Sequence, residues 1–116
     1  MINLTPQHRI FICVEAVDFR KGIDGMAGYC KNILNLDPYS GAVFAFTNKR
    51  RILVRLLIYD GNGFWLCNKR FSDGKLKWWP QNHLEAGTLT PMQLQIILQQ
   101  SDPRSVKFPE KWREIN

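Results

Sequence analysis

The sequence predicts a single α+β domain in which a mainly antiparallel β meander packs with two helices. Residues 60–63, Asp-Gly-Asn-Gly, separate two apolar runs and supply the positive φ angles that a tight hairpin turn needs. Residues 19–34 carry apolar side chains at the recurring intervals of an amphipathic helix. Residues 90–93 carry the capping signal of a second helix. The 116 residues suffice for one hydrophobic core, which we place in residues 1–102, followed by a charged tail, 103–116.

Apolar runs of strand length make up the predicted sheet. The first, residues 9–15, is rich in Ile, Phe and Val and should be central or well covered. A turn at residues 37–41 reverses the chain after the first helix. The meander then follows as four consecutive strands: residues 42–47, 52–59, 64–71 and 76–79. Because consecutive strands joined by short turns run in opposite directions, the sheet should be largely antiparallel.

The first helix carries glycines that conflict with helix propensity. They lie at i, i+3 spacing: Gly22, Gly25 and Gly28. Each costs on the order of 1 kcal/mol relative to Ala, so we interpret them as a smooth ridge on which another element packs closely. Asp18 is placed to cap this helix. A second interpretation is that the helix begins near Gly22 and that its free N–H groups, with Arg20 and Lys21, bind an anion or a partner.

The second helix has clear start and stop signals. Thr90 and Gln93 match a capping box, and Pro91 occupies the first helical position. The apolar face follows as Met92, Leu94, Ile96, Ile97 and Leu98. Asp102-Pro103 should end the helix, and residues 80–85 should form a break before it.

The positive charge of the chain is confined to the predicted meander. The formal net charge is +6. Eight cations and two acids lie between Asn48 and Trp79, so this stretch accounts for the whole excess while the remainder balances. The eight cations are Lys49, Arg50, Arg51, Arg55, Lys69, Arg70, Lys75 and Lys77. A basic stretch of this kind is typical of a surface for nucleic acid or for an acidic protein.

Two hairpin reversals should bring five of these cations to one end of the meander. We call this set the cationic rim: Lys49, Arg50, Arg51, Lys75 and Lys77. The rim suits nucleic acid, because cations neutralise phosphates and the nearby Trp78 and Trp79 could stack on unpaired bases. In the alternative interpretation, Lys and Arg protect sheet edges from aggregation and the two tryptophans belong to the core.

The sequence predicts no catalytic site, no metal site and no cofactor. The three cysteines, Cys13, Cys30 and Cys67, are widely spaced and lack histidines at zinc-ligand intervals, so we expect reduced core residues. The carboxylates that could be gathered into a metal-dependent nuclease site are Glu15, Asp18, Asp24, Asp60 and Glu85. Solvated faces and turn caps explain them better, and neither histidine has the spacing of a catalytic triad.

Composition also bears on the compartment. No segment approaches the roughly 18 apolar residues that a membrane-spanning helix needs, so we expect no membrane association. The first six residues lack the basic start and apolar core of a signal peptide. We therefore expect a cytoplasmic protein.

Six motifs in a fixed order carry a family resemblance. They are residues 18–25 (Asp-Phe-Arg-Lys-Gly-Ile-Asp-Gly), 37–41 (Asp-Pro-Tyr-Ser-Gly), 49–51 (Lys-Arg-Arg), 59–64 (Tyr-Asp-Gly-Asn-Gly-Phe), 69–70 (Lys-Arg) and 79–80 (Trp-Pro). In this order they resemble the TnpB accessory proteins, which are encoded by the second reading frame of insertion sequences of the sixty-six family. The likeness runs from about residue 6 to residue 104.

The resemblance implies a protein encoded beside a separate transposase and needed for efficient transposition. The strand-transfer chemistry belongs to that transposase, so the resemblance assigns no catalytic residue to this chain. This sequence departs from the family pattern in three places: Asn68 replaces a usual aromatic, Phe71 replaces a usual Leu, and the stretch after Leu98 lacks a usual Gly.

Two hypotheses for the function follow. In the first, the chain is a DNA-binding accessory module whose eight meander cations contact phosphates. In the second, it is an adaptor that docks on the transposase or on another element-encoded protein through Arg20, Lys21 and Gly22 or through the helix at residues 94–98. The preference for single- or double-stranded DNA and the oligomeric state stay open at this point.

Overall fold

The computed structural model describes residues 7–87 and 89–104 and confirms the α+β class. The elements in chain order are β1 (Ile10–Ile12), α1 (Ile23–Asn32), β2 (Val43–Thr47), β3 (Leu53–Tyr59), β4 (Phe64–Arg70), α2 (His83–Gly87) and α3 (Pro91–Leu98). The four strands form one mixed sheet in the order β1-β2-β3-β4. Most of the predicted tail, residues 105–116, lies outside the described residues.

The first half of the chain is a β-α-β unit. Strand β1 pairs in parallel with β2, with Ile10 opposite Val43. Parallel neighbours need a crossover connection, which α1 provides. Strand β1 is not central, because it lies at the edge of the sheet and has only three residues, but it is well covered, since Ile12 is buried and Ile10 and Phe11 pack against the cores. The chain nevertheless continues beside β2, since the Cys13 N–H donates to the Ala45 carbonyl and the Val17 N–H donates to the Thr47 carbonyl.

Strands β2, β3 and β4 form the predicted antiparallel meander. Thr47 lies opposite Val54, and Leu53 lies opposite Arg70. The β3–β4 turn is tight: the Asp60 N–H donates to the Gly63 carbonyl at 3.0 Å. Gly61 has a φ of 104°, a conformation that favours glycine. This turn therefore forms as the sequence predicts.

The predicted fourth meander strand at residues 76–79 is wrong. Of its residues only Leu76 bonds to the end of the sheet, through its N–H to the Arg51 carbonyl. Trp78 and Trp79 are both buried, which a strand cannot achieve on one face because successive side chains alternate. The chain instead crosses the face of the sheet, and Trp79 Nε1 donates to the Cys13 carbonyl at 3.0 Å.

Helix α1 is shorter than predicted. Gly22 is its N-cap and makes no side-chain capping bond. Asp18 does not cap the helix, because its carboxylate instead accepts from the Arg20 N–H at 2.9 Å. The predicted glycine ridge is also wrong. A Cβ at Gly25 would meet Lys21 of the same segment at 3.1 Å, and a Cβ at Gly22 would meet nothing within 4 Å.

The C-terminal helices differ in how well the sequence predicts them. Helix α3 begins at the predicted capping box, in which Gln93 N–H donates to Thr90 Oγ1 at 3.2 Å and Thr90 N–H donates to Gln93 Oε1 at 2.9 Å. The break predicted at residues 80–85 contains the start of a third helix, α2. There the Asn82 side chain accepts from the Glu85 N–H at 2.9 Å, which is the action of a helix cap.

The sheet has a hydrophobic core on each face. On one face Trp79, Leu94 and Ile97 pack against Val43 and Leu56. On the other face α1 contributes Met26 and Cys30, which pack against residues of β2 and β3: Phe44, Phe46 and Leu57. Burial on both faces explains why β2 and β3 are nearly continuous apolar runs. No helix within residues 7–87 and 89–104 is long and apolar enough to cross a lipid bilayer.

Candidate nucleic-acid interface

The first half of the cationic rim lies on the β2–β3 turn. Asn48 organises this turn, because its side-chain oxygen accepts from the N–H groups of Ile52 at 3.0 Å and Leu53 at 3.2 Å. The Arg51 N–H donates back to the Asn48 carbonyl at 3.0 Å. Lys49 and Arg50 are exposed at the tip of the closed turn. Short-range bonds to one asparagine thus hold two cations in solvent.

Arg51 takes a left-handed conformation at the exit of this turn. Its φ is 59°, which L-residues other than Gly, Asn and Asp adopt rarely. The Arg51 carbonyl accepts from the Leu76 N–H at 2.8 Å. This bond brings Lys75 and Lys77 beside the β2–β3 turn, and the five members of the cationic rim therefore lie together at one end of the sheet.

Gln100 braces the second half of the cationic rim. Its side-chain Nε2 donates to the Asp73 carbonyl at 2.8 Å and to the Lys75 carbonyl at 3.2 Å. Gly74 within this turn has a φ of 69°. Sequence reasoning missed Gln100, since nothing in the pattern of α3 indicates which turn its end will meet.

In the described part of the chain, the side chains of the rim have no hydrogen-bonding or ion-pair partner. In residues 7–87 and 89–104 the ion pairs are Arg20–Asp18 and Arg104–Asp102. Among these residues, the rim side chains and Arg70 form no hydrogen bond or ion pair. Like charges that are held together and unpaired create a positive potential, which attracts a polyanion.

Arg55 is buried, so the prediction that this residue contacts phosphates is wrong. Its side chain is only 7% exposed. Nε donates to Asn68 Oδ1 at 2.6 Å, Nη2 donates to the Phe19 carbonyl at 2.9 Å, and Nη1 donates to the Lys21 carbonyl. The guanidinium also lies 4.5 Å from the centre of the Phe19 ring. Burial lowers the pKa of the Arg55 guanidinium, and neutral acceptors satisfy it.

The two remaining meander cations differ from each other. Lys69 Nζ donates to the Leu98 carbonyl at 2.7 Å, so it neutralises the C-terminal end of α3. Arg70 is exposed at the end of β4, opposite Leu53. Arg70 therefore extends the cationic rim along the end of the sheet, whereas Lys69 has a structural bond of its own.

The segment formed by Arg20, Lys21 and Gly22 lies near the same end of the sheet. The bond from the Val17 N–H to the Thr47 carbonyl aligns the preceding residues with the end of β2. The bond from Arg55 then fixes Lys21. Arg20 forms an ion pair with Asp18, with 2.7 Å between Nη2 and Oδ2, and its hydrogen bonds to the carboxylate lower the Asp18 pKa to about 2. Both cations of this segment are exposed, and Lys21 is the one that forms no ion pair with a described residue.

Trp78 and Trp79 are not available for stacking on bases. They are 6% and 0% exposed, and the prediction of an aromatic platform beside the rim is wrong. Both rings belong to the core between the sheet and the helices α2 and α3. Arg104 lies over the Trp78 ring at 5.1 Å from its centre.

Exposed aromatic side chains lie at the opposite end of the sheet. Tyr39 is 61% exposed, and its ring centre is 4.9 Å from that of Tyr59 and 5.1 Å from that of Phe64. Trp65 is 54% exposed, and its Nε1 donates to Asp60 Oδ2 at 2.8 Å. We call these four side chains the aromatic end.

The local contacts of Asp60 and of two buried cysteines account for the shifts of their pKa values. Asp60 accepts from Asn62, Gly63 and Trp65, and these bonds lower its pKa. Burial raises the pKa of Cys30 to about 12 and raises that of Cys13. No three of His, Cys, Asp and Glu are grouped as metal ligands within the described part of the chain.

Comparison with known proteins places the chain in a family. Two proteins of Sinorhizobium fredii (strain NBRC 101917 / NGR234) are similar to it. "Uncharacterized protein y4jC" is 36% identical over 75 residues, which are 65% of this chain and 64% of the relative, just under two thirds of its length. "Uncharacterized protein y4hO" is 30% identical over 105 residues, which are 90% of this chain and 89% of the relative. No solved structure matches the chain.

A family model covers nearly the whole domain. The family described as "IS66 Orf2 like protein" matches residues 8–108 and thus includes both halves of the cationic rim. This range contains all six motifs noted in the sequence. The chain therefore belongs to the IS66 Orf2-like family, the TnpB accessory proteins of insertion sequences.

Proposed function

We propose that the chain is a DNA-binding accessory protein for transposition and that the cationic rim, with Arg70, contacts DNA phosphates. The family supports the accessory role. The observation that carries the DNA-binding proposal is the grouping of cations from two turns at one end of the sheet, where none of them forms an ion pair with an acid among the described residues, Asp73 of the second turn included. We further propose that the chain performs no catalysis of its own and that strand transfer is left to the transposase.

The physical basis is counterion release. Each phosphate that a Lys or Arg neutralises frees a condensed counterion, so the logarithm of the binding constant falls linearly with the logarithm of the salt concentration. Six contacts, five from the cationic rim and one from Arg70, would reduce the affinity for duplex DNA roughly a thousandfold between about 50 and 200 mM salt.

In the alternative function, an adaptor for another protein, one of the two expected docking surfaces is the helix at residues 94–98, and its apolar side chains are largely buried. Leu94 and Ile97 of α3 are 0% exposed and belong to the core. The observation that favours a protein partner is instead the aromatic end, because exposed Tyr and Trp side chains are enriched in protein interfaces. A transposase or another protein of the same element could dock there while the cationic rim holds DNA.

Fluorescence anisotropy tests the proposed function. The full chain is titrated into a labelled duplex that carries the end of its insertion sequence, at several salt concentrations. We expect tight binding at low salt and a steep loss of affinity as salt rises. Absence of binding at low salt would refute DNA binding, and capture of the transposase after nuclease treatment would then favour the adaptor.

A further inference from the structure

We infer that the cationic rim binds the sugar-phosphate backbone of duplex DNA in preference to a single strand. This inference rests on the proposed DNA binding and names the form of DNA that the surface fits. It follows from three features: the burial of the aromatic side chains beside the rim, the surroundings of the exposed ones, and the spread of the cations over the end of the sheet.

The aromatic residues beside the cationic rim are built into the core. Proteins that bind single strands combine a basic groove with aromatic faces on which successive bases stack. Trp78, Trp79 and Phe71 are 6%, 0% and 7% exposed. The Nε1–H group of Trp79 also donates a hydrogen bond to the Cys13 carbonyl. A base held at the rim would therefore find cations for its phosphate and no free ring from these three residues.

The exposed rings lie at the wrong end of the sheet for a strand bound at the rim. The aromatic end lies at the far end of β3, whose seven residues span about 20 Å at roughly 3.3 Å per residue. Carboxylates accompany these rings: Asp37 accepts from the Tyr39 N–H at 2.9 Å, and Asp60 accepts from Trp65. Two exposed negative charges repel a phosphate backbone, so this surface does not favour a nucleic-acid strand.

The cations extend around the end of the sheet instead of lining one side of it. Lys49 and Arg50 project from a turn. Arg70 follows Asn68 by two residues and so shares its side of β4, the side on which Arg55 and the segment before α1 lie. Lys75 and Lys77 flank Leu76, which belongs to the core on the opposite face of the sheet. A broad, projecting set of cations suits contacts across a duplex backbone.

Lys21 is a further cation that this arrangement assigns to the contact with the phosphate backbone, besides the cationic rim and Arg70. The Arg55 guanidinium bonds to the carbonyls of Phe19 and Lys21, and it thereby positions Lys21 on the side of the sheet where Arg70 lies. Arg55 acts here as a positioning residue. It touches no phosphate itself, because it is buried.

The experiment compares three labelled DNAs of the same length at low salt: the element-end duplex, a duplex of scrambled sequence, and one strand of the element end alone. We expect the two duplexes to bind within about twofold of each other, since phosphate contacts carry no sequence information. We expect the single strand to bind about tenfold more weakly and with a shallower salt dependence. Equal or tighter binding of the single strand overturns this inference and leaves the proposed DNA binding intact.

Variants separate the surfaces. Replacing Lys21 and Arg70 by Gln should weaken duplex binding severalfold, whereas replacing Lys31 and Arg9 by Gln, which removes the same charge elsewhere, should not. Replacing Tyr39 and Trp65 by Ala should leave the affinity for each DNA unchanged. If the replacement of Tyr39 and Trp65 weakens only the binding of the single strand, the aromatic end is a base-stacking platform and the inference is overturned. Binding of none of the three DNAs overturns the inference and the proposed function together.

Discussion

The Arg55 side chain donates from Nε to Asn68 Oδ1 at 2.6 Å, across the pairing of β3 with β4. The resemblance noted in the sequence implies an aromatic residue at position 68, and this bond gives Asn68 a structural role of its own in this chain. A Phe or Trp side chain can stack on a guanidinium but has no acceptor for this hydrogen bond. In this chain the Arg55 charge is thus satisfied by an amide and two backbone carbonyls.

We predict opposite effects for two substitutions at this site. Asn68→Asp should raise the free energy of unfolding by roughly 0.5 to 1 kcal/mol, because a charge-assisted bond to Arg55 is stronger than a neutral one and position 68 is partly screened by water. Arg55→Met should lower it by about 3 kcal/mol, because the carbonyls of Phe19 and Lys21 lose their donors. Urea denaturation measures both. Asn32→Asp on α1 is the control, and an equal gain there would argue against a specific pair.

The left-handed conformation of Arg51 predicts that glycine is the better residue there for stability. Arg51→Gly should raise the free energy of unfolding by roughly 0.5 to 1 kcal/mol, since glycine adopts a positive φ without steric cost. Arg51→Ala removes the same charge and keeps the strain. Both variants should weaken DNA binding equally while they differ in thermal midpoint. Equal midpoints would show that the turn does not strain residue 51.

Acid should destabilise the fold in a defined range. The Asp18 pKa is about 2 in the folded chain and 3.8 ordinarily, because Arg20 bonds to its charged form. A carboxyl group with a lowered pKa stabilises the fold above its ordinary value, and this stabilisation is lost as the pH falls through the folded value. The stability difference between the wild type and Asp18→Asn should therefore be full at pH 6 and shrink towards pH 2, as measured by urea denaturation. A difference that is constant with pH would contradict the ion pair.

The three thiols should differ in reactivity. Cys13 and Cys30 are 4% and 0% exposed, and burial raises the pKa of each thiol. Cys67 is half-buried. A thiol reagent added to the folded chain should label one residue quickly, and Cys67→Ser should abolish that phase. Rapid labelling of two or more residues would contradict the described core.

The parts of the fold that the sequence predicts correctly depend on local chemistry. The turn at Asp60 and Gly61 forms through side-chain bonds within four residues, and the box of Thr90 and Gln93 closes within one helical turn. The failures involve distant contacts. In the sequence, Trp78 and Trp79 have the pattern of the end of a strand. In the fold, Trp79 bonds to the Cys13 carbonyl, and both rings pack in the core with residues of α2 and α3.

The candidate site shows the same division. The sequence predicts the turn that carries Lys49 and Arg50, because the Asn48 side chain forms it through bonds to nearby residues. The role of Arg55 is not readable, because its acceptors Phe19 and Lys21 lie 36 and 34 residues away. The amino-acid composition shows that the cations lie in one stretch of the sequence. Only the tertiary fold shows that the Arg55 guanidinium is buried while other cations of that stretch are exposed.

Whether the cationic rim contacts DNA is decided by the salt dependence of duplex binding in two charge-matched variants. One variant replaces Lys49 and Arg50 with Gln, and the other replaces Arg9 and Lys31, which lie away from the cationic rim. We expect the first variant to reduce the slope of log affinity against log salt by about 2, since each lost phosphate contact contributes about 0.9, and the second to leave it unchanged. Equal slopes in both variants would show that the rim does not contact DNA.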